Sequence, residues 1–113
     1  MKILPSSEYL IQPEHIDEKA PFTGAFGSSE AEETARAIVR FAQSEDRWNP
    51  FTLVEIRRFL SGLRRLAMTV IRGSLLLKKE GYLEVDEEDK EVYYVTDRFI
   101  DRCHSFAPMG KKI

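Results

Sequence analysis

The sequence predicts a mainly α fold with a small β-hairpin, in the order helix, helix, turn, helix, hairpin, helix. Three observations carry this. Two capping boxes, Ser29-x-x-Glu32 and Thr52-x-x-Glu55, each open an apolar run with helical spacing. Gly81 closes a third such run, as a residue suited to the left-handed helix stop does. Two short alternating runs then flank an acidic tip, the pattern of a hairpin.

The elements follow in order. Residues 1–27 carry no sustained period, because Pro5, Pro13 and Pro21 interrupt each candidate helix. Their apolar content, including Tyr9, Ile11, Phe22 and Phe26, exceeds that of a disordered tail. They read as an extended N-terminal arm laid over the domain or over a partner chain. The domain spans residues 28–107, and residues 108–113 form a frayed tail. The first helix starts at Ser28 or Ser29 and ends near Ser44, with Ala31, Ala35, Ile38 and Ala42 as its buried stripe. "SEDRWNP" is a connector in which Pro50 forces Asn49 into an extended conformation. Trp48 within it is either a core anchor or an interface residue, and the burial habit of tryptophan favours the core. The second helix starts at Thr52, buries Leu53, Ile56 and Leu60, and stops at Ser61-Gly62. The third runs from Leu63–Arg65 to Glu80. Steps of 100° put Leu63, Ala67, Val70, Ser74 and Leu77 inward, and Arg65, Thr69, Arg72, Leu76 and Lys79 outward. Gly73-Ser74 weakens its middle. The strands are "YLEVD" and "EVYYV", with Tyr93 and Val95 assigned to the inner face. Thr96 caps a last helix whose stripe is Phe99, Cys103 and Phe106.

Composition bounds the class. A chain of 113 residues fits one domain and buries roughly two-thirds of its unfolded surface. One cysteine excludes an internal disulfide, which suits a reducing compartment, and no apolar run has the form of a signal peptide or a membrane span. A cytoplasmic location, or a nuclear one if the source has a nucleus, is expected, without membrane contact. The net charge of −2 conceals sorting by segment: −4 over residues 1–50, +5 over 51–80, −5 over 81–91 and +2 over 92–113.

Two stretches carry a family resemblance. "FTLVEIRRFL" resembles the first helix of a helix-turn-helix. "TVIRGSLLLKKEGYLEV" resembles a recognition helix running into a wing, with Thr69-Val70, Arg72, Leu77, Lys79 and Gly81-Tyr82-Leu83 in the spacing of many bacterial repressors. "VT" at Val95-Thr96 fits the end of the second wing strand. Over about residues 29–106 the chain is therefore similar to the winged helix-turn-helix DNA-binding family. The resemblance implies a small sequence-specific transcriptional regulator that binds double-stranded DNA as a homodimer, with its third helix in the major groove. The implied DNA-contacting residues are Arg64, Arg65, Thr69, Arg72 and Lys79; Arg72 has the fork to read guanine, and Arg65 and Thr69 the reach to hold phosphate. Phe22, Phe26, Phe99 and Phe106 are the candidates for a dimer or partner contact, with intrachain core as the alternative.

The hairpin departs from the family. "DEEDKE", Asp86 to Glu91, holds five acids and Lys90 where the family often carries a basic tip. Phosphates repel such a tip within a Debye length of about 8 Å. The alternative function is accordingly a non-enzymatic protein–protein adaptor on the same scaffold, using the acidic wing or the N-terminal arm. No enzyme chemistry is expected. Cys103 and His104 are helix neighbours that point apart, and Cys103 reads as core. One Cys with His15 and His104 makes no zinc site, the acids of 84–91 lack calcium-loop spacing, and no phosphate-binding glycine loop occurs. No cofactor or metal is expected.

Overall fold

The computed structural model describes residues 11–17, 22, 24–60 and 67–106. The expected Ser61-Gly62 stop, Arg64, Arg65 and the C-terminal tail lie outside these. A 3₁₀ turn at Pro13–His15 precedes α1 (Ser29–Glu45), β1 (Phe51–Thr52), α2 (Leu53–Arg57), α3 (Ala67–Lys79), β2 (Leu83–Val85), β3 (Val92–Val95) and α4 (Asp97–Phe106). The fold is mainly helical with a small three-stranded antiparallel sheet, ordered β1-β3-β2.

Helix α1 is the axis of the core. Ala31, Thr34, Ala35, Ala37, Ile38, Val39, Phe41 and Ala42 are all buried, on more than one side of the helix. The Oγ of Ser28, not of Ser29, caps it, accepting the N–H of Ala31 at 3.1 Å. Glu32 does not close a capping box; its carboxylate accepts the N–H of Gly24 at 2.6 Å and holds the preceding loop. The second capping box forms as expected. Thr52 Oγ1 accepts the N–H of Glu55 at 3.3 Å, and the Glu55 carboxylate accepts the N–H of Thr52 at 2.9 Å. Thr52→Ala should cost about 1 kcal/mol in a denaturant titration.

The strand missing from the sequence reading is β1. Phe51 pairs with Tyr93 and Thr52 with Val92, while Leu83, Glu84 and Val85 pair with Val95, Tyr94 and Tyr93. The side chain of Asn49 completes this edge, its Oδ1 accepting the N–H of Val95 at 2.7 Å. The Asn49-Pro50 peptide bond is cis. The Gly81 stop is a full helix-ending motif at φ +83°: Gly81 N–H reaches Lys78 O at 3.1 Å and Tyr82 N–H reaches Leu77 O at 2.9 Å. In α4 the inward residues are Phe99, Ile100 and Cys103; Phe106, expected in the stripe, lies on the surface.

The described part of residues 1–27 is built into the domain. Ile16, Phe22, Ala25 and Phe26 belong to the same core as α1 and α4. Side-chain donors fasten its backbone: Gln43 to the carbonyls of Pro13 (2.9 Å) and Ile16 (2.7 Å), the Trp48 indole to Ile11 (2.8 Å), and Arg102 to Ala25 (2.8 Å). Phe26 packs on Tyr82 and Phe99, with ring centroids 5.0 and 5.6 Å apart. Phe22, Phe26 and Phe99 are 1%, 6% and 0% exposed, which removes them from the list of dimer or partner contacts. Their rings are consumed by the chain's own core. Trp48, fully buried, is the core anchor of the two readings open to it.

Candidate binding face on helix α3

The orientation of α3 decides what it can bind. The contact that fixes it is Gly73. A Cβ there would overlap Thr34 Oγ1 and come within 2.5 Å of the Glu30 carbonyl oxygen, so the two helices meet backbone to backbone. Thr34 Oγ1 then donates to the Thr69 carbonyl at 3.2 Å, inside the interface. Thr69, Val70, Gly73, Ser74 and Leu77 form the buried side.

This corrects the expected faces. Thr69, assigned to phosphate, is 7% exposed and packs on α1. Ala67, assigned inward, is exposed. The glycine does not interrupt the helix, which runs unbroken from Ala67 to Lys79. Arg72 and Lys79 do lie outward, as expected. Arg72, however, is paired with Glu30 of α1 at 3.5 Å. With both partners partly solvated, that pair contributes about 0–1 kcal/mol and can open.

The sequence reading missed the apolar character of the outward side. Met68, Ile71, Leu75 and Leu76 are 49%, 41%, 57% and 38% exposed. The first three stand at i, i+3 and i+7, one stripe about 10 Å long. A signal was present: α3 carries large apolar residues at six of its positions, Met68, Val70, Ile71, Leu75, Leu76 and Leu77, more than one buried face holds. Leu76 leads from the stripe into a groove of about 340 Å³, lined also by Phe26, Tyr82, Glu80 and Arg102. Phe106, the remaining aromatic contact candidate, is 39% exposed and lies under the Arg102 guanidinium at 4.7 Å.

The hairpin is a separate electrostatic unit. Asp86 is turned inward and closes the tip on itself. Its carboxylate accepts the N–H groups of Glu88 and Asp89, each at 3.0 Å, and the Tyr94 hydroxyl at 2.9 Å. The Asp89 N–H, with help from Tyr94 and Glu88, holds the Asp86 carboxyl below its ordinary value of 3.8 against the opposing effect of burial. Burial first, then the Asp86 contact, pushes the Tyr94 phenol up to about 12. The signs give two windows. The Asp86 contribution to stability is complete above its unfolded value and is lost as pH falls through the lowered one. The Tyr94 contribution is complete below the unfolded value of 10.0 and is lost as pH rises through about 12. Asp86→Asn should therefore flatten the stability profile on the acid side, below about pH 4. Tyr94→Phe should remove an ultraviolet phenolate titration step near 12. The outward acids of the tip are Glu87, Glu88, Asp89 and Glu91, all exposed.

Elsewhere, Cys103 is buried and its thiol is raised well above the usual value by desolvation. Among the described residues no group of three or more His, Cys, Asp or Glu could hold a metal ion, and no helix is long and apolar enough to cross a membrane. Comparison with protein-family models, with curated proteins and with solved structures finds no match.

Proposed function

We propose that this chain is a non-enzymatic docking module that holds a partner protein on the outward face of α3. The observation that carries the reading is the Met68–Ile71–Leu75 stripe, with Leu76 beyond Arg72 and Lys79, on a helix whose opposite side is buried chiefly against α1. A contiguous apolar strip on a rigid helix is what a helix-in-groove or helix-on-helix contact uses. Against a duplex, those four side chains would lose water without finding complementary groups on phosphates. The order of elements and the β1-β3-β2 pairing support a winged helix-turn-helix scaffold, a fold that does not by itself fix the ligand.

Sequence-specific DNA binding is the second reading. Arg72 and Lys79, seven residues apart on the outward side of α3, favour it. It predicts a duplex affinity that falls steeply with salt, with a slope reduced by about one for each phosphate contact removed, as in Arg72→Ala.

A photo-reactive amino acid at position 75 of the full chain separates the two in cells. The docking reading predicts a protease-sensitive adduct from position 75 and none from position 87 on the hairpin. A nuclease-sensitive adduct at 75 favours DNA, and a protein adduct confined to 87 moves the contact to the acidic tip.

A further inference from the structure

We infer that the partner offers α3 an amphipathic helix whose apolar stripe is bordered by Asp or Glu. The inference rests on the docking reading and names the chemistry of its ligand. Helix α3 carries three cations and no acid between Ala67 and Lys79. Those cations border the stripe. Arg72 and Lys79 stand along one edge of the Met68–Ile71–Leu75 stripe, between it and Leu76, and Lys78 stands along the other, beside Ile71. An incoming helix therefore meets apolar groups along its centre and positive charge along both edges. Acidic borders answer that pattern, and basic borders are rejected by it.

Other occupants fit less well. Two copies joined through α3 would bring cationic margins together, with no acid between Ala67 and Lys79 of either helix to answer them. The hairpin of a second copy supplies acids but little exposed apolar surface, since Val85, Val92 and Tyr93 are each half-buried. A flat anionic surface, whether lipid or duplex, must also face the hairpin base, because Lys78 shares a groove of about 630 Å³ with Glu84, Asp86 and Glu87. A single helix following α3 nears those acids only at Lys78, since Arg72 and Lys79 lie outside that groove. The groove beside Leu76, walled by Phe26 and Tyr82, gives such a helix one place to rest a large anchor side chain.

The test uses the full chain and two synthetic helical peptides of about five turns, with identical leucine stripes and either glutamate or lysine borders. Fluorescence anisotropy should show the glutamate peptide binding at least about tenfold more tightly at about 0.05 M salt, a gap that narrows at about 0.5 M. Leu75→Glu, at an exposed position, should abolish binding with the circular dichroism spectrum unchanged. Arg72→Glu with Lys79→Glu should reverse the preference. Equal binding of both peptides, lost with Leu75→Glu, overturns the acidic border and leaves protein docking standing. Absence of binding by either peptide overturns the inference, and the docking reading then stands or falls on the adduct at position 75. Tighter binding to anionic vesicles than to either peptide overturns it in favour of a membrane surface.

Discussion

Trp48→Ala should lower the unfolding free energy by about 3–5 kcal/mol, the cost of truncating a large, fully buried aromatic side chain. The indole is enclosed in the core, meets Phe99 edge-to-face at 6.3 Å and donates to the Ile11 carbonyl at 2.8 Å. Removing it opens a cavity, leaves the carbonyl without that donor and frees one of the ties that hold residues 11–17 to the domain. A domain of this size has about 5–15 kcal/mol in total, so the variant should be marginal at room temperature. The melting temperature should fall by about 10–20 °C. Trp48→Phe keeps most of the volume and loses the donor, and should recover more than half of the deficit. Chemical denaturation of the three proteins side by side measures both steps.

Gly73→Ala is the second large effect, and its direction opposes local propensity. In an exposed helix this change gains about 1 kcal/mol. Here the new methyl group would overlap Thr34 Oγ1, lie 2.7 Å from Thr34 Cβ and lie 2.5 Å from the Glu30 carbonyl oxygen. One of those neighbours is backbone, so no rotamer change relieves the overlap, and α3 must lift from α1. Overpacking of this kind costs about 1–3 kcal/mol, enough to outweigh the propensity gain. The Thr34–Thr69 hydrogen bond goes with it. Pairing the change with Thr34→Ala should recover part of the loss, giving a coupling of at least about 0.5 kcal/mol in a double-mutant cycle. The same substitution tests function: if the contact sets which residues face outward, a shifted α3 should also lose partner binding.

These two positions show where the sequence is informative. Caps and stops are local chemistry, so Thr52-x-x-Glu55, the Gly81 stop, the hairpin and the Thr96 start of α4 can be read without tertiary information. Ser28 and Ser29 offer two registers for one cap, and the choice went to Ser28 because the loop through Gly24 claims Glu32. Strand β1 has two residues, too short to show alternation, and exists only through its pairing with β3. The described residues of the N-terminal segment are placed by side chains from α1, α4 and the Trp48 connector, contacts that leave no period in the sequence.

The outward side of α3 was the costliest misreading. Its apolar residues run all the way round, so periodicity leaves the rotation undetermined, and the arginines drew the assignment outward. The deciding residues are small: Thr69 and Gly73 face α1 because only small side chains allow the close approach. Charge located Arg72 and Lys79 correctly on the surface, yet missed that the surface between them is apolar. Arg64 and Arg65 lie outside the described residues.

Amide chemical-shift mapping of the full chain, titrated in parallel with the glutamate-bordered peptide and with duplex DNA, shows which ligand the outward face of α3 takes. Docking through α3 should give peptide-induced shifts concentrated at Met68, Ile71, Arg72, Leu75, Leu76 and Lys79, absent in Leu75→Glu, and no saturable response to the duplex. Saturable shifts of those same amides with duplex DNA, and none with the peptide, would contradict it.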